Sequence, residues 1–242
     1  MKKIIILLSA LFIVSCATSP ITSPTTQAPQ KVIIEVSSVT DSSVKIKESD
    51  SINKSMEVSN PDGKLSQLSF IANGKAFVKI FSGLSVADVT RLWNDIVFLE
   101  ETTNVREVHI FINSPGGGAF DGLALADEIQ RAQKHGFKMI AHASGIVASA
   151  AVPVLAVCRP RYAARGTIFM VHEAALWKWP GRETASDIKS QNELMDMLRS
   201  RYIKKMVDNS KLSKEEWEAM EKCTTWFSTE KAMEFGIVDD YE

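Results

Sequence analysis

Phe111-Ile112-Asn113-Ser114-Pro115-Gly116-Gly117-Gly118 is the stretch on which the fold turns. The apolar run from Val108 to Ile112 reads as a short strand, and it passes directly into a turn. Three successive glycines permit positive φ and let the backbone come close to a ligand. Their N–H groups, beside the start of a helix, suit an anion or an oxyanion. No Gly-Lys-Ser/Thr follows, so this is not a phosphate-binding Walker loop. A plain tight turn is the alternative use of the same residues.

On the N-terminal side, Leu68, Phe70, Phe77 and Val78 flank Asn73-Gly74, a hairpin signal. Ser85 to Asp88 has the pattern of a capping box, with Val89, Leu92, Trp93 and Ile96 following at helical spacing. On the C-terminal side, the sequence predicts a helix from Leu123 to Ala132 and a strand from Phe137 to Ala141. It then predicts a buried helix from Ser149 to Cys158, with Pro153 in its first turn. A strand from Thr167 to His172 and a long helix from Asp187 to about Asn209 come next. Ser213 with Glu216 caps a further helix. Ser228 to Phe235 forms a last one, stopped by Gly236, and Ile237-Val238 is a final strand. Alternating strands and helices give an α/β class with a largely parallel sheet.

Composition excludes several functions. The 28 Lys+Arg and 29 Asp+Glu of the 242 residues leave a net charge of −1, so no electrostatic footprint for nucleic acid is present. Three cysteines make no disulfide scaffold, and no CxxC or HExxH metal spacing occurs. No metal and no cofactor is expected. Lys2 and Lys3 precede an apolar run from Ile4 to Val14, which has the form of a signal-peptide core. Ser/Thr/Pro-rich sequence fills residues 17–30, too polar to build a core and suited to a spacer. Residues 31 to about 64 read as tether with at most transient strands. The expected organisation is therefore a signal peptide over 1–15, a tether over 16–64 and a folded domain over 65–242.

Two residues stand out as chemistry. Ser149 lies among small residues at the opening of an apolar helix, where the dipole favours developing negative charge. Its other use would be an N-cap. His172 ends an apolar strand, a position for a general base or for a structural histidine. His109, His135 and His142 have weaker claims.

Together these pieces resemble a family. Phe111 to Gly117 looks like its Y-I-N-S-P-G-G, Gly145 to Ala150 like its G-x-A-A-S-M, and Met170-Val171-His172 like its M-I-H. Ser186-Asp187-Ile188 is similar to the start of its long handle helix, and Ala232 to Asp239 to its closing A-x-E-Y-G-L-V-D. The family is the proteolytic subunit of the Clp protease, and the resemblance runs from about Phe77 to Asp239. It implies a Clp/crotonase-type fold of stacked ββα units, a serine endopeptidase and a ring-forming homo-oligomer. Ser149 takes the nucleophile position, His172 the general-base position, and the N–H groups of Gly117 and Ala150 the oxyanion-hole positions. Gly116, Gly118, Ala119 and Phe120, flanking Gly117, are expected to pair with an extended peptide by strand addition. Ile13-Val14-Ser15-Cys16 resembles the lipobox of bacterial lipoproteins. That resemblance implies cleavage before Cys16, its acylation, and a membrane-anchored protein on the extracytoplasmic, periplasmic side.

The sequence departs from the family at the third catalytic position. A gapless count puts Thr224 where the family has its aspartate. A threonine hydroxyl can orient an imidazole but supplies no charge. Glu221, one turn earlier, Glu173 or Asp187 are alternative acids, and Lys189 an alternative base. A catalytically impaired relative that binds peptides is the alternative function, and an acyl-CoA enzyme on the shared fold a third. Outside the cytoplasm no ATP is supplied, so peptides or unfolded proteins are the expected substrates and an ATP-driven unfoldase is not an expected partner. The segment from Glu193 to Lys205 is either a subunit contact or a helix packed on its own domain. Cys158 and Cys223 are left to pair or to stay free.

Overall fold

Asn73 and Gly74 take φ of 52° and 71°, the left-handed pair that a two-residue hairpin turn needs. They join β3 (Ser69–Ala72) to β4 (Lys75–Ile80). In the computed structural model of the chain, the described residues are 43–44, 58–59, 69–175 and 181–242. Cys16 and the expected signal peptide lie outside them. Two short strands fall within the stretch read as tether. β1 (Ser43–Val44) pairs with β2 (Val58–Ser59), and β2 pairs with β3, so the sheet extends N-terminal to residue 65.

From β4 the chain crosses through α1 (Val86–Thr102) to β5 (Glu107–Ser114), then through α2 (Ala119–Lys134) to β6 (Lys138–Ala148). β4, β5 and β6 are parallel neighbours. Ser85 caps α1 through a capping box with Asp88. The buried stripe of α1 runs through Leu92, Ile96 and Leu99, and Trp93, one position round the helix, is exposed. The strands alternate as period 2 requires. Val108, Ile110, Ile112, Met139 and Ala141 face the core, where they pack with α1, α2 and α3 (Ala151–Ala156). The opposite face carries a ladder of stacked rings: Phe70, Phe77, His109, Phe111, His142 and Tyr162.

β6 is twice the length expected for it, and it forks. Ala141–Ala143 pairs with β7 (Arg161–Ala163), and Ile146–Ala148 pairs with β8 (Ile168–Val171). A bulge separates the halves: Ile112 faces Ala143, but Ser114 faces Val147. Gly145 sits in that bulge at φ 65°, and a Cβ there would meet Asn113 Oδ1 at 2.7 Å. The space is used by Asn113, whose Oδ1 accepts the Ile146 N–H at 3.2 Å. The bulge thus aims the second half of β6 at the turn that follows it.

The C-terminal part contains α4 (Ala185–Asp208), α5 (Lys214–Lys222), β9 (Thr225–Ser228) and α6 (Thr229–Phe235). β9 pairs antiparallel with β8. Thr184, Ser213 and Ser228 cap the three helices, and Gly236 closes α6 in the left-handed conformation. Ile237 and Val238 are not a strand. Both N–H groups bond back to the Ala232 carbonyl, and both side chains are buried in the core. The strand comes two residues later, as β10 (Asp240–Tyr241) parallel to β7.

One ion pair ties this end to the sheet. Arg161 is 3% exposed. It donates from Nε and Nη2 to Asp239 at 3.1 and 2.6 Å, and from Nη1 to the carbonyls of Ala156 and Asn209. Burial pushes the Asp239 carboxyl up, but the hydrogen bonds and charge of Arg161 outweigh it and hold it below the ordinary range. A depressed carboxyl stabilises the fold above its unfolded value, about 3.9, and that contribution is lost as pH falls through the folded value. Asp239→Asn removes the charge opposite Arg161 but leaves it the Ala156 and Asn209 carbonyls, so chemical denaturation at neutral pH is expected to show a loss of about 1–2 kcal/mol. The gap to wild type should narrow below about pH 4.

Candidate active site

The turn between β6 and α3 is the centre of the site. Ser149 takes φ 55°, a left-handed conformation uncommon for a residue other than glycine. Its N–H donates to the Met170 carbonyl at 2.7 Å, and its own carbonyl accepts the Val152 N–H at 3.0 Å. The turn is therefore held on one side by β8 and on the other by α3. The N-cap of α3 is Ala150, and no side chain caps it. Ser149 is one residue further out, with its hydroxyl projecting from the turn instead of closing the helix.

His172 follows the last residue of β8. Its Nε2 lies 2.8 Å from Ser149 Oγ. With the imidazole proton on Nδ1, the serine hydroxyl donates to Nε2, the arrangement of an activated nucleophile and its base. The sheet sets this distance, because Ala148 and Met170 are partners in the β6–β8 ladder and each residue lies just beyond its strand. Cys158 lies at the far end of the same apolar segment. It is fully buried, with its thiol pushed up to about 12 by desolvation. Cys158 and Cys223 are both free.

The glycine turn packs directly on the serine turn. Gly116 takes φ 94°, and a Cβ there would lie 2.7 Å from the Ala148 carbonyl oxygen and from Ser149 Cβ, and 3.0 Å from the Ala150 nitrogen. Gly117 takes φ 152° and bridges Leu84. Leu84 N–H donates to the Gly116 carbonyl at 2.7 Å, and Gly118 N–H to the Leu84 carbonyl at 3.0 Å. Among the described residues, no backbone carbonyl takes the N–H of Gly117 or of Ala150. Two free donors thus flank Ser149, as an oxyanion requires. Ser114 fixes the start of the turn: its hydroxyl donates to the Ser82 carbonyl at 2.6 Å and accepts the Gly116 N–H at 3.2 Å. Sequence reasoning passed over Asn113 and Ser114 as positioning residues, although both stand inside the motif it singled out.

Along Gly117 to Phe120, the backbone edge left open beside Leu84 is that of Gly117. Gly118 is the N-cap of α2, Ala119 and Phe120 are in its first turn, and Leu84 already occupies the backbone edge of Gly116 and Gly118. Ala119 instead lines the cavity beside Ser149.

Thr224 has φ 48° and lies one position beyond the last β8–β9 pair, Val171 with Thr225. That register makes 224 and 172 neighbours. Among the described residues, Ser149 is the one side-chain hydrogen-bond partner of His172, and no hydrogen bond reaches it from the Thr224 hydroxyl. The alternative acids are committed elsewhere. Asp187 closes the capping box of α4 with Thr184. Glu221, 3% exposed, accepts from Arg199 Nε at 2.8 Å. Burial pushes its carboxyl up although Arg199 opposes the shift. Glu173 is exposed. Lys189 is exposed and faces Glu193 at 3.9 Å. Elsewhere, His109 Nδ1 and His142 Nε2 lie 2.8 Å apart on the ring-lined face of the sheet, with Glu107 and Glu242 at the two ends, and His135 pairs with Glu100. Among the described residues, no group of three or more His, Cys, Asp or Glu is placed to hold a metal ion.

A cavity of about 40 Å³ opens beside the pair. Leu123, Pro153 and Leu198 form its apolar wall, and Arg199, Tyr202 and Glu221 its polar end. Of these six, the sequence singled out Glu221 alone as a candidate site residue, because they come from α2, α3, α4 and α5 and meet only in the fold.

The chain is similar to known proteins in sequence and in fold. A family model described as Clp protease matches residues 72–241. The ATP-dependent Clp protease proteolytic subunit 2 of Synechococcus sp. (strain CC9605) is 24% identical over 166 residues, covering 66% of this chain and 80% of its own. The ATP-dependent Clp protease proteolytic subunit 1 of Prochlorococcus marinus (strain MIT 9312) is 28% identical over 170 residues, covering 66% and 81%. Among solved structures, a ClpP1 mutant from Listeria monocytogenes matches with a TM-score of 0.60 at 21% identity, over 69% of this chain and 90% of that chain.

Gly122, in α2, supplies a test of the packing beneath the serine turn. A Cβ there would lie 2.5 Å from the Ala150 carbonyl oxygen. Helix propensity alone would favour Gly122→Ala by up to about 1 kcal/mol, and overpacking costs about 1–3 kcal/mol. The variant is expected to melt below wild type and to react more slowly at Ser149. A raised melting temperature would show that the turn does not rest on this contact.

Proposed function

This chain belongs to the Clp protease family, and from that premise we propose that it is a serine endopeptidase acting through an acyl-enzyme on Ser149. The observation that carries the reading is the 2.8 Å pairing of Ser149 Oγ with His172 Nε2, beside two backbone N–H groups that no backbone carbonyl takes among the described residues. Ser149 Oγ attacks the scissile carbonyl carbon and passes its proton to His172 Nε2. The carbonyl oxygen, now negative, is held by the N–H groups of Gly117 and Ala150. His172 then returns the proton to the departing amine, and the ester on Ser149 is hydrolysed by water activated in the same way. Each oxyanion donor is worth on the order of 3 kcal/mol of barrier.

The substrates are peptides or unfolded polypeptides. The protein is tethered to a bacterial membrane through acylated Cys16, on the extracytoplasmic side, and works without an ATP-driven partner. The signal-peptide pattern and the spacer that follows it support this localisation. Among the described residues, no helix is long and apolar enough to cross a membrane. The protein assembles with copies of itself. Exposed Ile188 and Met197 on α4 support that reading, while Leu198 and Ile203 pack inward.

A second reading, a peptide-binding relative of low activity, is favoured by one observation: no carboxylate accepts a hydrogen bond from His172 among the described residues. Both readings meet the same test. With the full chain in detergent, a fluorophosphonate probe is expected to label wild type and not Ser149→Ala. No labelling, together with retained peptide binding, would establish the second reading.

Thr224→Asp tests the missing charge. The left-handed φ of residue 224 suits aspartate better than a β-branched threonine. A carboxylate facing His172 should raise kcat by up to about 10⁴. An unchanged kcat in a folded variant would place the orienting role on another group.

A further inference from the structure

The cavity beside Ser149 carries an inference that rests on the acyl-enzyme reading and sharpens it. Two of its polar groups have unused hydrogen-bonding capacity. The Tyr202 hydroxyl is buried and has no hydrogen-bond partner among the described residues. Glu221 gives one carboxylate oxygen to Arg199 Nε and takes no other hydrogen bond among the described residues. A buried phenol without a partner is costly, and a native protein that keeps one beside a nucleophile has a use for it. The remaining wall is apolar, formed by Leu123, Pro153 and Leu198. At about 40 Å³, the space admits about three water-sized groups.

We propose that this cavity receives the side chain on the acyl side of the scissile bond and selects a carboxamide, asparagine or glutamine. The carboxamide is three heavy atoms, matching the room available. Its oxygen accepts from the Tyr202 hydroxyl, and its NH₂ donates to Glu221. Its neutrality leaves the Arg199–Glu221 pair undisturbed. Other side chains fail on one count each. Leucine or methionine leaves Tyr202 without a partner. A carboxylate or an ammonium is attracted by one member of the Arg199–Glu221 pair and repelled by the other, and so competes with the pair itself. Tyr202 and Glu221 are thus specificity-determining residues, and Arg199 is the positioning residue that fixes the carboxylate.

The test is a panel of fluorogenic peptides alike except at that residue, carrying Asn, Gln, Leu, Met, Lys or Glu, assayed with the full chain. Wild type is expected to show kcat/KM for Asn or Gln about tenfold or more above that for Leu. In Tyr202→Phe that ratio should fall by about tenfold. A wild type that prefers Leu, Met, Lys or Glu overturns the proposal without any variant being needed, and so does a ratio unchanged in Tyr202→Phe. If no peptide is cleaved and the fluorophosphonate does not react, the peptidase reading fails by itself. The pocket is then read by fluorescence anisotropy on Ser149→Ala, with labelled peptides ending in Asn, Gln or Leu. About tenfold tighter binding of the carboxamide ends supports the pocket, and equal affinities overturn it.

Discussion

The site depends on how closely two turns approach each other. The Pro115–Gly118 turn lies against the Ala148–Ala150 turn at a separation that leaves no space for a Cβ at residue 116. From the other side, Gly122 brings the first turns of α2 against the Ala150 backbone. Two N–H groups from different turns can flank one hydroxyl only at such a separation. Close packing of backbone on backbone also makes the geometry stiff, since nothing between the turns can change rotamer. Preorganisation of this kind is what gives hydrogen-bond donors their value toward a developing oxyanion.

The forked strand β6 is the second requirement. A parallel sheet alone would carry the chain past β8 without turning it toward His172. The bulge at Gly145, filled by the Asn113 side chain, separates the half that pairs with β7 from the half that pairs with β8. The first half belongs to the core, and the second half presents Ser149 to His172. Arg161 holds the two parts together by binding Asp239 and the ends of α3 and α4 at once. Stability and site therefore share the same strands, although they use different residues of them.

Motifs made of adjacent residues were legible in advance. The Asn73-Gly74 hairpin, the caps at Ser85, Ser213 and Ser228, and the stop at Gly236 all depend on chemistry within four residues. Each appears where the sequence pattern puts it. Of the elements that went unread, β7 and β9 are short and carry no alternation of apolar with polar residue types. They are strands because a neighbouring edge needs pairing, which no local pattern records. Ile237-Val238 shows the converse: a β-branched pair taken into the core as the tail of a helix cap.

The sequence by itself determined the α/β order, the glycine turn, and the serine and histidine at strand ends. These are properties of residue type and spacing, and they survive without knowledge of any contact. Tertiary structure decided the rest. It brought Ser149 and His172 to 2.8 Å and committed Asp187 to a cap and Glu221 to Arg199. It took Ala119 and Phe120 into a helix. It also set at the cavity a Tyr202 hydroxyl with no partner among the described residues. The physical reason is that a hydrogen bond or a cavity is a relation between side chains distant in the chain. Its free energy depends on distances and burial that only the packed chain fixes.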